Sequence, residues 1–292
     1  MILVAGSANL DFVVRADHIP APGETVLGRE FKTFPGGKGA NQAVACARAG
    51  GAPTAMLLAL GQDDFAKPLE ASLTNAGVQL HIKRVAGVPT GTAFICVSDD
   101  AENAITVAPG ANNALVAGDL PDLAGVSHLV MQLETPMDTV LAYARQARTA
   151  GVQVVLNAAP AKVLPAELLA LLDILIVNEG ELAVVARHAG TIAECLERLH
   201  VPCVVVTLGH EGSWARVGGH ITRQPAFPIK PVDTTGAGDT FVGGLVAALS
   251  QNQPLDQALR QGNAAAALAC LTPGAQSSIP TLADVQAFLA SH

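Results

Sequence analysis

Residues 233–244 read DTTGAGDTFVGG, a glycine-dense loop that also carries a carboxylate. Glycines at this density let a backbone close around an anion, yet Asp239 would repel a phosphate held there. Two phosphate-loop templates fail on the stretch. No Lys follows the glycines as G-x-x-x-x-G-K-[ST] requires, and the third glycine of G-x-G-x-x-G, counted from Gly236 and Gly238, is Phe241. What stands is Gly236-Ala237-Gly238 opening a helix at Asp239, behind an Asp233-Thr234-Thr235 turn. Free amides at such a helix N-terminus hold anions whatever the motif is called. Asp239 then has two readings. It caps the helix, as Asp does well. Alternatively, its carboxylate takes the proton of an attacking hydroxyl while the amides stabilise a phosphoryl group in transfer.

The second reading needs a hydroxyl-bearing acceptor site, and the N-terminal part offers one. Asn9 and Asp11 lie two positions apart just after the first strand, so on an extended chain they point the same way. Together they supply acceptors and a donor amide, the inventory for gripping vicinal hydroxyls. Gly36-Gly37-Lys38-Gly39-Ala40-Asn41 then opens a helix, with Lys38 and Asn41 available. A plain turn at 9–11 and a plain helix start at 36–39 remain the alternative.

Positioning these groups falls to an alternation of apolar runs and Ala-rich amphipathic stretches. ILVAGS, TAMLLAL, SHLVMQL, VQVVLN, DILIVN and PCVVVTL read as buried strands. Helices are expected near 38–50, 64–76, 137–150, 180–188 and 191–199. Such alternation predicts a parallel sheet with right-handed crossovers, and ligands then bind beyond the carboxyl ends of its strands. The C-terminal part, 238–250, 254–271 and 282–290, is helical with no strand between. Segments 11–34 and 88–107 carry alternating patterns with turn signals and are expected as a small inserted antiparallel lid within one 1–292 domain. Aromatics are only 3% of a chain that is 50% hydrophobic, so Ala, Val, Leu and Gly must fill a closely packed core.

Net charge is −8 with no basic block, which argues against non-specific nucleic-acid binding. Five scattered cysteines without a CxxC pair suit a reducing compartment. The opening MILVAGSANLD reads as a strand rather than a secretory leader, and no apolar run reaches the length of a membrane span. A soluble cytoplasmic protein is expected. The eight His residues show no metal-ligand spacing.

With these pieces in place, the chain resembles the ribokinase-like (phosphofructokinase-B type) carbohydrate kinases. GSANLD, PAPGETV, GGKGANQA, MQLE, VNEGE, TLGHEG, DTTGAGDTF and PGAQSSIP occur in that family's order across essentially the whole chain. The resemblance implies a three-layer α/β fold with a central, mostly parallel sheet and a β-sheet lid. It implies ATP-dependent phosphorylation of the 5-hydroxyl of D-ribose. Related acceptors (2-deoxyribose, fructose or a nucleoside) and a non-catalytic sugar-binding regulator are the alternatives. Small or aliphatic Ala93, Ile105 and Ala108 in the lid, and the scarcity of aromatics, speak against stacking a nucleoside base. The intact GAGD loop speaks against a regulator.

By the same resemblance, Asp239 is the catalytic base, and Gly236, Ala237 and Gly238 supply anion-hole amides. Asn9, Asp11, Gly37, Lys38, Asn41 and Glu134 ring the sugar; a solvated strand end is the alternative for Glu134. Asn178, Thr207, Gly209, Gly212, Gly238 and Asn263 attend ATP, and Glu181 acts on the Mg2+–phosphate water network. A K+ site is implied at Asp233, Thr235, Ala269, Thr272, Gly274 and Ser278, mostly through carbonyls. There CLTPG departs from the family pattern, because Pro273 fixes a backbone angle and removes an amide. A homodimer through the lid is expected, since a small sheet has exposed edges to protect.

Overall fold

The computed structural model describes residues 1–100 and 102–292; residue 101, within the expected lid segment 88–107, lies outside the described residues. The chain starts with β1 (Ile2–Ala5), β2 (Asn9–Arg15), β3 (Glu30–Gly36) and α1 (Lys38–Arg48). It continues through β4 (Thr54–Gly61), α2 (Ala66–Asn75), β5 (Gln79–Val85), β6 (Gly91–Val97) and β7 (Asn103–Ala108). Next come β8 (His128–Met131), α3 (Met137–Thr149), β9 (Gln153–Asn157), α4 (Ala166–Leu171), β10 (Ile174–Asn178) and α5 (Glu179–Ala186). Then follow α6 (Ile192–Glu197), β11 (Cys203–Thr207), β12 (Ser213–Val217) and β13 (His220–Gln224). Three helices close the chain: α7 (Ala237–Ser250), α8 (Leu255–Ala269) and α9 (Leu282–Ser291).

A nine-stranded sheet runs in the order β13-β12-β11-β10-β9-β8-β1-β4-β5. It is parallel from β11 to β5, with β12 and β13 antiparallel at one edge. Its central strands are near-continuous apolar runs, interrupted mainly at their ends, because helices cover both faces. Ile2 and Val4 point to one side, where Val44, Phe241, Leu245 and Leu259 of α1, α7 and α8 meet them. Leu3 and Ala5 point to the other, against Tyr143, Leu168, Leu182 and Leu196 of α3 to α6. Each Leu or Val buried this way contributes about 1.5–3 kcal/mol.

Small residues bring α7 onto α1. A Cβ at Gly243 would fall on the Ala45 Cβ, so the two helices approach closer than larger side chains permit. This contact sets Asp239, in the first turn of α7, beside the first turn of α1.

The second sheet, in the order β3-β2-β6-β7, is the expected lid. One expectation is corrected: β2 pairs with β6 in parallel, and only β2–β3 and β6–β7 are antiparallel. Two hairpins drawn from distant parts of the chain are zipped side by side, and that pairing follows from where β1 and β5 release the chain. The first lid segment begins earlier than expected, at Asn9 rather than residue 11, whereas the second begins at Gly91 rather than residue 88.

Candidate active site

Four crossings between the main sheet and the lid assemble the acceptor side. Asn9, the first residue of β2, is 2% exposed, and its Oδ1 accepts from Asn112 Nδ2 at 2.7 Å. Asp11, two residues along β2, lines a cavity of about 500 Å³ beneath the lid, together with Phe34, Ile95, Ile105, Asp233 and Gly274. Of the three lid residues expected to set selectivity, Ile105 reaches this cavity, while Ala93 and Ala108 do not line it. Glu134, just past β8, is no solvated strand end: its Oε2 accepts from Ser7 Oγ at 2.6 Å and from the Lys38 amide at 3.1 Å. Gly37 caps α1 and Lys38 is that helix's first residue.

Charges crowd this wall. Burial, then the Glu134 and Asp239 carboxylates, push Asp11 up to about 7. The Asp239 carboxylate holds the Lys38 ammonium above its usual range; burial opposes that, and Glu134 and Glu181 add to it. One cation faces several carboxylates, an arrangement that suits a polyhydroxyl ligand on one side and a phosphate on the other.

Asp239 does not cap its helix. The cap is Gly236, at φ 73°, a left-handed conformation that glycine adopts without strain, and no side chain bonds the first-turn amides of α7. Instead, Asp239 Oδ2 accepts from Asn41 Nδ2 and Oδ1 from Gln42 Nε2, each at 2.9 Å. The amides of the expected anion hole differ in their hydrogen bonding. Ala237 N donates to Thr234 O at 3.2 Å, whereas the amides of Gly236, Gly238 and Asp239 have no acceptor among the described residues.

Those three residues line a smaller cavity of about 150 Å³, together with Lys38, Asn178, Glu181 and Thr207. β9, β10 and β11 all end there, as the rule for parallel sheets requires. Asn178 and Glu181 form a reciprocal capping box on α5, with Asn178 Oδ1 accepting from Glu181 N and Glu181 Oε2 from Asn178 N, both at 2.8 Å. Burial raises the Glu181 carboxyl above its ordinary range, outweighing the Asn178 hydrogen bond and Lys38. Gly209, Gly212 and Asn263 line neither cavity. Asn263 Nδ2 donates to Gln224 O at 3.1 Å and Pro225 O at 3.2 Å, and Gly212 lies against the same Gln224 carbonyl. Gly212 N also donates to Gly209 O at 3.1 Å, so the three lie around the end of β13.

The residues implied for a monovalent cation come from two loops that the fold does bring together. Asp233 Oδ1 accepts from Thr235 N and Oδ2 from Gly274 N, both at 2.9 Å, while Val232 N donates to Cys270 O at 2.8 Å. Burial alone would raise the Asp233 carboxyl, but these hydrogen bonds hold it below the usual range. Each of its oxygens accepts one loop amide, so its side chain braces the loop. The carbonyls of Asp233, Thr235, Thr272 and Gly274 accept no hydrogen bond among the described residues, a donor set that fits K+. Ala269 O accepts from Thr272 N at 3.4 Å, and Ser278 Oγ donates to Ala275 O at 2.9 Å. Pro273 leaves the loop intact.

Sequence reasoning missed the buried amides around Asp239. Gln42, Gln132, Asn157 and Gln276 form hydrogen bonds over separations of 90 residues or more. Each sits inside or beside a stretch already singled out, namely GGKGANQA, MQLE, VQVVLN and PGAQSSIP. An amide embedded in an otherwise apolar run was the available signal.

The profile of the pfkB family carbohydrate kinases matches residues 1–282. The chain is 39% identical over 300 residues to the ribokinase of Haemophilus influenzae, covering 99% of this chain and 98% of that protein. It superposes on the ribokinase of Thermotoga maritima with a TM-score of 0.92 at 36% identity, covering 99% of both chains. The ribokinase of Arabidopsis thaliana, solved with ribose and ATP, gives a TM-score of 0.90 at 32% identity, covering 99% of this chain and 98% of that one.

Proposed function

The chain belongs to the pfkB family of carbohydrate kinases, and on that premise we propose that it transfers the γ-phosphoryl group of ATP to the 5-hydroxyl of D-ribose, with Asp239 as the base. Full-length similarity to ribokinases supports the reaction. The observation that carries the role of Asp239 is its place in the wall of the smaller cavity, beside unspent helix amides and Lys38 and close enough to act on Asp11, which lines the larger one.

In this reading the sugar lies under the lid. Asp11 accepts from two neighbouring hydroxyls, Asn9 adds its amide, and Glu134, Gly37, Lys38 and Asn41 border the ring. Asp239 takes the hydroxyl proton as the O5–Pγ bond forms and the bond from Pγ to the β-phosphate oxygen breaks, releasing ADP. Amides of Gly236, Gly238 and Asp239 receive the charge of the transferring group. Asn178, Thr207 and Glu181 border the phosphates, and Gly209, Gly212 and Asn263 border the adenosine. Mg2+ arriving with the nucleotide, its waters near Glu181, would neutralise phosphate charge. K+ held by the carbonyls of Asp233, Thr235, Thr272 and Gly274, with Ala269 and Ser278 beside them, would add positive charge near the anion site.

The same reading takes residues 1–292 as one catalytic domain whose lid excludes competing water. It takes the working form as a lid-to-lid homodimer in the cytoplasm. Among the described residues, no helix is long and apolar enough to cross a membrane.

The test is a coupled ADP-release assay with Mg-ATP and ribose, 2-deoxyribose, fructose, adenosine or no sugar, run beside Asp239→Asn. Ribose should give the highest kcat/KM, and the folded variant should lose about 10²–10⁴-fold in kcat. A sugar-independent rate would overturn the substrate. An active Asp239→Asn would overturn the base.

A further inference from the structure

Asp239 is held by Asn41, which borders the proposed sugar, and by Gln42, which lines neither cavity. Gln42 is fully buried, and Gln132 and Gln276 are 1% and 5% exposed. We propose that Gln42, oriented by Gln132, and Asn41, oriented by Gln276, form a positioning relay that fixes the plane of the Asp239 carboxylate. This rests on Asp239 being the base.

The relay has a direction. Gln132 Nε2 donates to Gln42 Oε1 at 2.6 Å, which turns the Gln42 amide nitrogen toward Asp239 Oδ1 and Asn157 Oδ1, each at 2.9 Å. Asn157 Nδ2 is in turn committed to Ile176 O at 3.2 Å. On the other side, Ser72 Oγ donates to Gln276 Oε1 at 2.6 Å, Gln276 Nε2 to Asn41 Oδ1 at 3.1 Å, and Asn41 Nδ2 to Asp239 Oδ2. Flipping Gln42 would set oxygen against oxygen at both Asp239 and Asn157, and nitrogen against nitrogen at Gln132. Gln132 keeps this orientation although its own Oε1 has no partner among the described residues.

The relay does what a charged partner could not. Lys38 attracts the same carboxylate, while Asp11 and Glu181 repel it. An unbraced carboxylate would swing toward the ammonium and away from the acceptor hydroxyl. Amides hold each oxygen through one lone pair, leave the other lone pair free, and neither give up nor take a proton.

Gln42→Met keeps the volume and removes the donor. It should lower kcat about 10- to 100-fold, the cost of a misplaced reacting group. Affinities for ribose and ATP, read by calorimetry, should stay within about twofold, because Gln42 reaches neither ligand. Gln42→Glu keeps the shape and faces a second carboxylate toward Asp239. It should move the acid limb of the kcat–pH profile to higher pH, which a merely structural side chain would not do. A folded Gln42→Met with wild-type kcat, or a Gln42→Glu with the wild-type profile, overturns the relay even where Asp239→Asn is inactive. An active Asp239→Asn overturns the base instead. Should Gln42→Met not fold, Gln132→Met decides: kcat should fall at unchanged ribose affinity, and an unchanged kcat overturns the proposal.

Discussion

Asn112 Nδ2 donates to Asn9 Oδ1 at 2.7 Å, joining the turn where the chain returns from the lid to the strand where it first enters. Asn112 also accepts from Ala8 N at 3.0 Å and donates to Ala8 O at 3.2 Å, and it is 1% exposed. With its carbonyl oxygen taken, Asn9 keeps its Nδ2 donor for the role proposed for it toward the sugar. Asn112→Ala would strand these buried groups at a cost of about 1–3 kcal/mol and free the Asn9 side chain to rotate. Urea unfolding should show that loss, and KM for ribose should rise more than kcat falls. A variant with wild-type stability would mean the latch carries no weight.

The role proposed for Asp11 would couple sugar binding to pH. Burial and the neighbouring Glu134 and Asp239 carboxylates raise it from the ordinary 3.8 to about 7. Between those values the folded chain holds a proton that the unfolded chain has lost. Stability therefore falls as pH rises through this window and levels off above about 7. Asp11→Asn should stabilise the ligand-free protein at pH 8, on the order of 1–2 kcal/mol after allowing for solvent screening. It should also weaken ribose binding about 10- to 100-fold, because a charge-assisted acceptor is gone. In the wild type, KM for ribose should climb as pH drops below about 7, and calorimetry in two buffers should detect proton release on binding. A flat KM between pH 6 and 8 would be the contrary result.

How far the sequence reaches can be judged from the elements it missed. β5, QLHIKRV, and β12–β13, SWARV and HITRQ, alternate with polar residues because they lie at sheet edges, so they lack the apolar run that marks the central strands. α4 is six residues long, too short to show a helical period. The parallel β2–β6 pairing joins segments more than 80 residues apart, and no local pattern encodes it. The site divides the same way. Asp239, Lys38, Asp11 and Glu134 stand out because charges in apolar or glycine-rich surroundings need a reason. Gln42, Gln132 and Asn112 carry no charge, and their partners are fixed only when α7 settles on α1 and the lid returns to the sheet.

The Asp233 brace makes a prediction about ions. Both of its oxygens accept backbone amides, from Thr235 and Gly274, and these bonds set the spacing of the carbonyl-lined loops. Asp233→Asn keeps one acceptor and turns an NH2 toward the second amide, so the loops should part. Activation by K+ should then need about tenfold more salt, consistent with the loss of one charge-assisted hydrogen bond. Activity at saturating K+ should recover in large part. Because the hydrogen bonds depress the Asp233 carboxyl, its contribution to stability is present above the usual carboxylate pKa and is lost as pH falls through the lowered value. Titrating KCl against activity for both proteins checks the first point; acid unfolding checks the second. Identical K+ curves would remove Asp233 from the cation loop.

The face of the lid opposite Asp11 is built from aromatics in a chain that has few. Phe12 stacks on Phe31 and Phe94, with ring centroids 6.1 and 5.4 Å apart, and meets Phe65 edge-on at 5.3 Å. Phe31 is 59% and Phe94 53% exposed, leaving a contiguous apolar surface flanked by the unpaired edges of β3 and β7. Surfaces of this kind mark association sites, and an edge strand left bare invites pairing. A second copy of the lid, bearing the same rings, is the occupant the proposed homodimer supplies. Phe94→Asp would set a charge in the middle of that patch without touching the sugar side. Sedimentation should then move from dimer to monomer at micromolar protein. KM for ribose should rise several-fold, because an unclasped lid spends more time open, while kcat at saturating sugar falls less. If the wild type already sediments as a monomer at that concentration, the lid is not a dimer interface and its aromatic face needs another explanation.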